Sequence, residues 1–308
     1  MNRAADSLSP RTHQGVLYVV GTPIGNLEDI TLRALKTLSK VDLVAAEDTR
    51  NTRRLLAHHH INRPLISMHE HNEERRAIEL ISKLDKGTTI ALVSDAGTPT
   101  LSDPGYRLVK DAVAAGIRVV PIPGPSAAVA ALSVSGLPTD AFLFLGFPPK
   151  KRAKRLKFLK QIADEDRTLI FYESPKRVAH LLADLMAVVG PRRAVLSREM
   201  TKTYEEFLRG SLGDIAEEVC KRNGLKGECT LLVDGADRQK EISAEALRDV
   251  ILQNLTQKDI GASSLSRQIA EQYGVSKKQV YAEILKVKNS EDGEQGPEAG
   301  KPQKTEGV

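Results

Sequence analysis

The 308-residue sequence predicts an α/β protein: two α/β domains with a small helical region after them. Three observations predict it. Short β-type runs alternate with helical spacings along most of the chain, Gly/Pro loops follow several of those runs, and the alternation stops at Phe147-Pro148-Pro149 and then resumes. Strands separated by helices of about 10–15 residues imply βαβ units and a largely parallel sheet, whose ligands sit beyond the carboxyl ends of the strands.

In order, the apolar runs at 15–20, 41–47, 64–70, 88–95 and 117–124 predict strands. Between them, Leu27, Ile30, Ala34, Leu35 and Leu38 recur at helical spacing over 27–39, and 72–84 and 104–115 do the same. The double proline ends any strand and stiffens a connector, so the first domain is expected over 15–147. Further strands are expected at 167–174, 192–199, 204–210 and 228–235, with a helix ending near Val189 and another after Gly210. Two of these strands follow each other without a helix, which calls for some antiparallel pairing. The second domain spans 148–236. A helical region over 237–288 carries stripes at Leu265, Ile269, Tyr273, Val280, Ile284 and Val287 around a turn at Gly274, with Ser276 and Gln279 placed as a capping box. This pattern favours a helical hairpin over a nucleic-acid reader. Residues 1–14 are expected to form a flexible extension, and 289–308, polar and Gly/Pro-rich with five acids against two bases, a disordered acidic tail.

Composition narrows the classes. Two cysteines exclude a disulfide framework and an all-cysteine zinc site and fit a reducing cytoplasm. The first fifteen residues hold no apolar signal core, and no apolar stretch approaches the roughly 18 residues of a membrane span. The net charge of +5 permits an anionic partner, whereas 4% aromatics and no Trp argue against an aromatic-stacking RNA platform.

Three loops could carry chemistry. The first is Gly21-Thr22-Pro23-Ile24-Gly25-Asn26, a strand-to-helix turn lacking both the dinucleotide glycine pattern and the Lys-Ser/Thr end of a P-loop. The second runs from Ser94 to Gly105. Asp95 ends an apolar strand and is expected to contact a ligand; Asp103 with Pro104 reads as N-cap and first helical residue. The third is Pro123-Gly124-Pro125-Ser126-Ala127. Adjacent strand ends bearing such loops form a wall of backbone donors and small side chains. That suits a nucleoside with an amino-acid tail better than a triphosphate, since no lysine accompanies them.

These residues also carry a resemblance. GTPIGNLEDITLRAL, AAEDTRNTRRLL, SMHEHNE, SDAGTPTLSDPG, PGPSA, FLGFPPKK and FYESPKR, colinear over about 15–235, resemble the ribosomal RNA small subunit methyltransferase I family, ribose 2′-O-methyltransferases of the tetrapyrrole-methylase fold. The resemblance implies S-adenosylmethionine in a cleft between the two domains, a homodimer, and a cytidine of small-subunit ribosomal RNA as substrate. It further implies that Pro23 lies beside the methionine end, that Asp95, Ala96 and Gly97 approach the methionine and ribose parts, and that Leu101, Ser126, Ala127, Tyr172 and Thr230 line the same pocket.

Loss of the 2′-hydroxyl proton calls for a positioned base. Glu173, and Glu199 with Lys202, follow strands of the second domain and are the candidates, a surface ion pair being the plainer reading of the latter two. Asp48 and Arg50 are candidates for the substrate backbone. The run from Lys150 to Lys160 holds seven bases and no acid. Lys150, Lys151, Arg152, Lys154 and Arg155 are expected to bind RNA phosphates, against the simpler reading of a solvated helix face. His69 and His71, two apart on a strand, would point to opposite faces and share no metal, and His58-His59-His60 reads as a solvated helix end. No metal is expected. Two rivals stand beside this reading: a tetrapyrrole C-methyltransferase, and a non-catalytic RNA-binding ribosome-assembly factor.

Overall fold

A computed structural model describes residues 15–222, 224–237, 244–255, 261–273 and 275–292. The expected extension over 1–14, the turn at Gly274 and the tail beyond Asp292 lie outside them. The chain divides into two compact units after Ala236.

The first unit holds two sheets. Strands β1 (Val16–Val20), β2 (Leu43–Ala46), β3 (Leu65–Ser67), β4 (Ile90–Val93) and β5 (Arg118–Ile122) form an all-parallel sheet in the order β3-β2-β4-β1-β5. Side chains alternate between its faces. Val44, Ala46, Ala91, Val93 and Val20 meet helices α1 (Leu32–Leu38) and α2 (Thr49–His58) on one side. Leu17, Ala45, Ile90 and Leu92 meet α3 (Glu73–Asp85) and α4 (Tyr106–Ala114) on the other. With both faces covered, the central strand β4 reads as the unbroken apolar run IALV, buried throughout. The expected helix over 27–39 is two pieces, a 3₁₀ turn at Leu27–Asp29 and α1, because Thr31 caps the Ala34 N–H and restarts the helix.

Helix α5 (Ala127–Ser133) leads to β6 (Phe142–Gly146), a strand the sequence reading left out. It pairs parallel with β7 (Thr168–Glu173) in the second sheet, ordered β6-β7-β10-β8-β9, with β8 (Arg193–Arg198), β9 (Glu206–Ser211) and β10 (Cys229–Val233). The division between the sheets therefore falls between α5 and β6 rather than at Phe147, a correction to the expected boundary. The β8–β9 pair is antiparallel, as is β10 with both neighbours, so the amino end of β10 lies beside the carboxyl ends of β7 and β8.

One face of this sheet packs on α6 (Arg152–Gln161), α7 (Val178–Val189) and α8 (Leu212–Lys221) through Leu159, Leu181, Leu185, Leu212 and Ile215. The other face, with Ile170, Val195 and Leu232, packs on α5 and on Ile24 of the first loop. That second contact sets the loops of one sheet against the strands of the other.

The second unit contains α9 (Ala244–Leu255), α10 (Ala262–Tyr273) and α11 (Lys277–Asp292) around a core of Leu247, Ile251, Leu265, Ile269, Val280, Ile284 and Val287. The expected stripes are its core. Helix α11 continues through 289–292, which the sequence reading had assigned to the tail.

Candidate active site

The loops after β1, β4 and β5 are knitted together by main chain. Thr22 and Gly97 exchange backbone hydrogen bonds of 2.8 and 3.1 Å, and the Gly21 N–H donates to the Ile122 carbonyl at 3.0 Å. Gly21 and Gly124 pass so closely that a Cβ on either would lie 2.8 Å from the other's Cα. Gly97 has φ = +76°, open to glycine without strain. Around Leu101 the backbone is held left-handed at two non-glycine residues, Thr100 (φ = 75°) and Ser102 (φ = 67°), a costly conformation that concentrates at functional loops.

Facing them are the carboxyl ends of β7 and β8 and the start of β10. In β7, Tyr172 sits opposite Thr230 of β10, and its hydroxyl accepts a hydrogen bond of 3.2 Å from the Ala128 N–H, satisfying a free donor in the first turn of α5. Glu173 is buried. Its carboxylate meets Arg177 at 2.5 Å and accepts from the Ser174 N–H at 2.7 Å. After β8, Glu199 (φ = 51°) turns its carboxylate into the notch left by Gly227, where a Cβ would lie 2.2 Å from its Cδ. There Oε1 accepts from Lys202 Nζ at 2.8 Å and from the Glu228 N–H at 3.1 Å. Lys202 also bonds Glu228 at 3.1 Å. Burial pulls the Lys202 ammonium down, but its hydrogen bonds to Glu199 and Glu228 outweigh this and its pKa is raised. The hydrogen bond from Lys202 is the main reason the Glu199 pKa is lowered. Both groups are half-buried. The Asn26 N–H donates to Thr201 Oγ1 at 3.0 Å, joining the first loop to this one.

Between these walls lies a cavity of about 350 Å³. Of the residues singled out in the sequence, Ala96, Gly97, Leu101, Ser126, Ala127, Tyr172, Thr230 and Glu173 line it. Pro23, Asp95, Glu199 and Lys202 are not in its lining, although Met200 and Glu228, their neighbours, are. Ile24, Thr98, Asp103, Phe147 and Cys229 line it as well.

Of the two aspartates of the second loop, Asp103, expected as a cap, lines the cavity, and Asp95 does not. Asp95 accepts from the Asp48 N–H at 3.1 Å and from Asn51 Nδ2 at 2.9 Å, clasping the loops after β4 and β2. Asp103 does not cap α4. The N-cap is Gly105 (φ = 120°), and Glu73 of α3 accepts the Gly105 and Arg107 N–H groups at 3.0 and 2.9 Å. Freed from capping, Asp103 faces the cavity. Burial, reinforced by the charges of Glu47 and Asp95 against a hydrogen bond with Ser94, pushes its carboxyl up to about 6.

A family model described as Tetrapyrrole (Corrin/Porphyrin) Methylases matches residues 16–216. Proteins named ribosomal RNA small subunit methyltransferase I are similar along most of the chain. The one from Haemophilus influenzae is 47% identical, covering 87% of this chain and 95% of its own. That from Escherichia coli O157:H7 is 49% identical, covering 88% and 95%. The chain belongs to the ribosomal RNA small subunit methyltransferase I family. Solved structures share the fold at low identity: uroporphyrin-III-C-methyltransferase from Thermus thermophilus has a TM-score of 0.51 at 22% identity, covering 72% of this chain and 94% of that one. A diphthine synthase reaches 0.56 at 16%, covering 72% and 90%.

The methyl donor of this methyltransferase family is S-adenosylmethionine, and the cavity fits it. Its volume lies in the small-molecule range of about 300–1,000 Å³. Ile24, Leu101, Ala127 and Met200 give it an apolar wall, and Asp103, whose ionisation is opposed by burial and like charges, gains from a bound cation. The residues that would hold the donor are Gly97, Asp103, Ala127, Tyr172 and Thr230.

In this family member the basic run divides. Arg155 is 4% exposed, bonded to Asp184 at 2.7 Å and to the Lys150 carbonyl at 3.3 Å, which corrects its expected place among phosphate contacts. Arg152 also reaches Asp184, at 3.1 Å, while remaining 75% exposed. Lys150, Lys151 and Lys154 are exposed. At the mouth of the first sheet, Asp48 caps α2 and grips the Arg50 guanidinium, which stays in solvent. His69 and His71 lie beyond β3 in a turn, not on a strand; their rings meet edge to face with centroids 6.1 Å apart. Asn72 Oδ1 accepts the His69 N–H at 2.9 Å, fixing that turn.

Proposed function

We propose that the chain transfers a methyl group from S-adenosylmethionine to the ribose 2′-hydroxyl of a cytidine in small-subunit ribosomal RNA, and that it does so as a homodimer in the cytoplasm. The observation that carries the reading is the cavity itself: strand-end loops without a phosphate-binding lysine, closed by carboxylates and an aromatic hydroxyl, in a chain whose relatives are named for this RNA subunit.

When bound, the donor supplies an electrophilic methyl on a sulfonium, so the chain's own task is alignment, exclusion of water and disposal of one proton. The apolar wall and Met200 exclude water. Glu173 is the carboxylate of the three candidates that lines the cavity, and we assign it the 2′-hydroxyl proton; Arg177 and the Ser174 N–H both hold its Oε1. Lys202 is held as an ammonium by Glu199 and Glu228, behind the lining residues Met200 and Glu228, and serves to position that rim rather than to take the proton. Lys150, Lys151, Arg152 and Lys154 supply phosphate contacts.

A tetrapyrrole substrate has only the fold-level likeness in its favour. An assembly factor without catalysis leaves the cavity without a purpose. The test is transfer of labelled methyl to small subunits lacking the modification, followed by nucleoside analysis of the product. Label in 2′-O-methylcytidine is expected, and single-turnover rates of Glu173→Gln, Glu199→Gln and Lys202→Met assign the roles. Label on a base, or label accepted by a porphyrinoid and not by RNA, overturns the reading.

A further inference from the structure

Phe147 has no role in the chemistry proposed above. It is 54% exposed, yet it lines the cavity, and its ring meets Tyr172 edge to face with centroids 5.7 Å apart, so that it is braced on one side. Several independent features set it there. The β6–β7 register slips between Phe144 and Gly146, leaving Leu145 as an extra residue, and such bulges re-aim the side chains that follow. Gly146 then takes φ = 58°, and its missing Cβ lets Ser102 approach; a Cβ there would lie 2.8 Å from Ser102 Oγ. Pro148 and Pro149 fix the chain immediately afterwards.

The surroundings say what such a ring would bind. Leu101, 49% exposed, immediately precedes Ser102 and lines the same cavity, so apolar surface is present on that side too. Exposed Lys150, Lys151 and Lys154 follow within seven residues. An exposed aromatic face beside free cations is the arrangement that holds a single-stranded nucleic acid, base on ring and phosphates on lysines. Few aromatics and no Trp argue against a platform built of several rings. One ring at a catalytic mouth does not conflict with that.

Resting on the proposed RNA methylation, we infer that Phe147 is the stacking platform for the nucleobase of the target nucleotide, holding it unstacked from its neighbours so that its ribose faces the cavity.

The test compares Phe147→Ala, Phe147→Leu and Phe147→Tyr, each checked for an unchanged thermal melt. Two readings are taken: KM for small subunits in labelled-methyl transfer, and S-adenosylmethionine affinity by calorimetry. Loss of one base–aromatic stack corresponds to about 5- to 150-fold weaker RNA binding. Phe147→Ala and Phe147→Leu are expected to raise KM within that range and by more than they weaken donor affinity, and Phe147→Tyr is expected to restore KM. A Leu variant as good as wild type would show that only apolar bulk is needed and would overturn the inference. So would unchanged KM in the Ala variant, or a loss confined to donor affinity, which would place the donor's own adenine on the ring. Failure of the wild-type protein to methylate subunits is a separate result; it removes the RNA reading, and this inference with it.

Discussion

At the ends of β1, β4 and β5 the cavity wall is main chain. Gly21 lies against Gly124, Thr22 and Gly97 share two backbone hydrogen bonds, and the side chains that join in, such as the Thr22 hydroxyl donating to the Ser94 and Gly97 carbonyls, also bond to main chain. At the ends of β7 and β8 and the start of β10 the wall is side chain: Tyr172 reaching Ala128, Glu173 on Arg177, Lys202 between Glu199 and Glu228. Behind that second wall the buried Arg155–Asp184 pair joins α6 to α7. The difference has a chemical sense. A parallel sheet presents loop N–H groups and close-approaching backbone at its carboxyl edge, which suits a bound cofactor. A mixed sheet brings strand starts and strand ends to one edge, so charged and aromatic side chains from three strands can converge on a reacting group.

The largest effect expected from this contrast is on stability. Asp184→Ala leaves the buried Arg155 guanidinium without its carboxylate, and breaking such a pair costs about 3–5 kcal/mol. Urea unfolding measures it. A loss near zero would mean that the side-chain wall does not depend on that framework. Next comes the main-chain wall. Gly21→Val drives a branched side chain into the backbone of Gly124, and overpacking of this kind costs about 1–3 kcal/mol. Donor affinity should fall with it, because the displaced loop is part of the cavity, and calorimetry on the folded variant reads that directly.

A smaller effect separates stability from function. Asp103 has its pKa raised from 3.8 to about 6, burial being the main cause. Folding therefore favours its protonated form: its contribution to stability is full below about pH 4 and is lost as pH rises through about 6. Asp103→Asn, with no charge to bury, should melt about 2–4 °C higher at pH 7.5, and the gain should shrink to nothing towards pH 4. The same variant should bind the cationic donor more weakly at pH 7.5, and its affinity should lack the rise through pH 6 expected of wild type. Equal donor affinity in both proteins at every pH would take Asp103 out of the site. The smallest effect belongs to the rim. Lys150, Lys151 and Lys154 replaced by Ser should flatten the slope of log RNA affinity against log salt by up to about 2 units, at about 0.7 per phosphate contact, with no change in the melt. Parallel lines would reduce the run to a solvated face.

The parallel sheet was legible because each of its strands carries its own apolar run and the loops after β1, β4 and β5 carry glycines. What the sequence reading missed depends on partners far along the chain. Asp103 looked like a cap because Asp-Pro-Gly precedes a helix, and the residue that serves that helix is Glu73, which no local pattern connects to it. Asp95 looked free because its partners, Asp48 and Asn51, belong to another strand's loop. Arg155 reads as one base among seven until α6 is laid on α7, where Asp184 meets it. Strand β6 was overlooked because the double proline after it suggested a boundary, while its pairing partner β7 begins more than twenty residues later. Phe147 gave a sequence signal only as an aromatic beside prolines; the bulge and left-handed glycine that direct it belong to the sheet.

The central claim is that the cavity between the two walls holds the methyl donor. Ala127, at the start of α5, is a small lining residue, and Ala127→Trp puts an indole into that space. Calorimetric titration of this variant with S-adenosylmethionine, beside wild type and with both melts recorded, tests the claim most directly. The account predicts at least a hundredfold loss of affinity in a protein that still unfolds cooperatively. Wild-type affinity in the folded variant would contradict it and place the donor elsewhere.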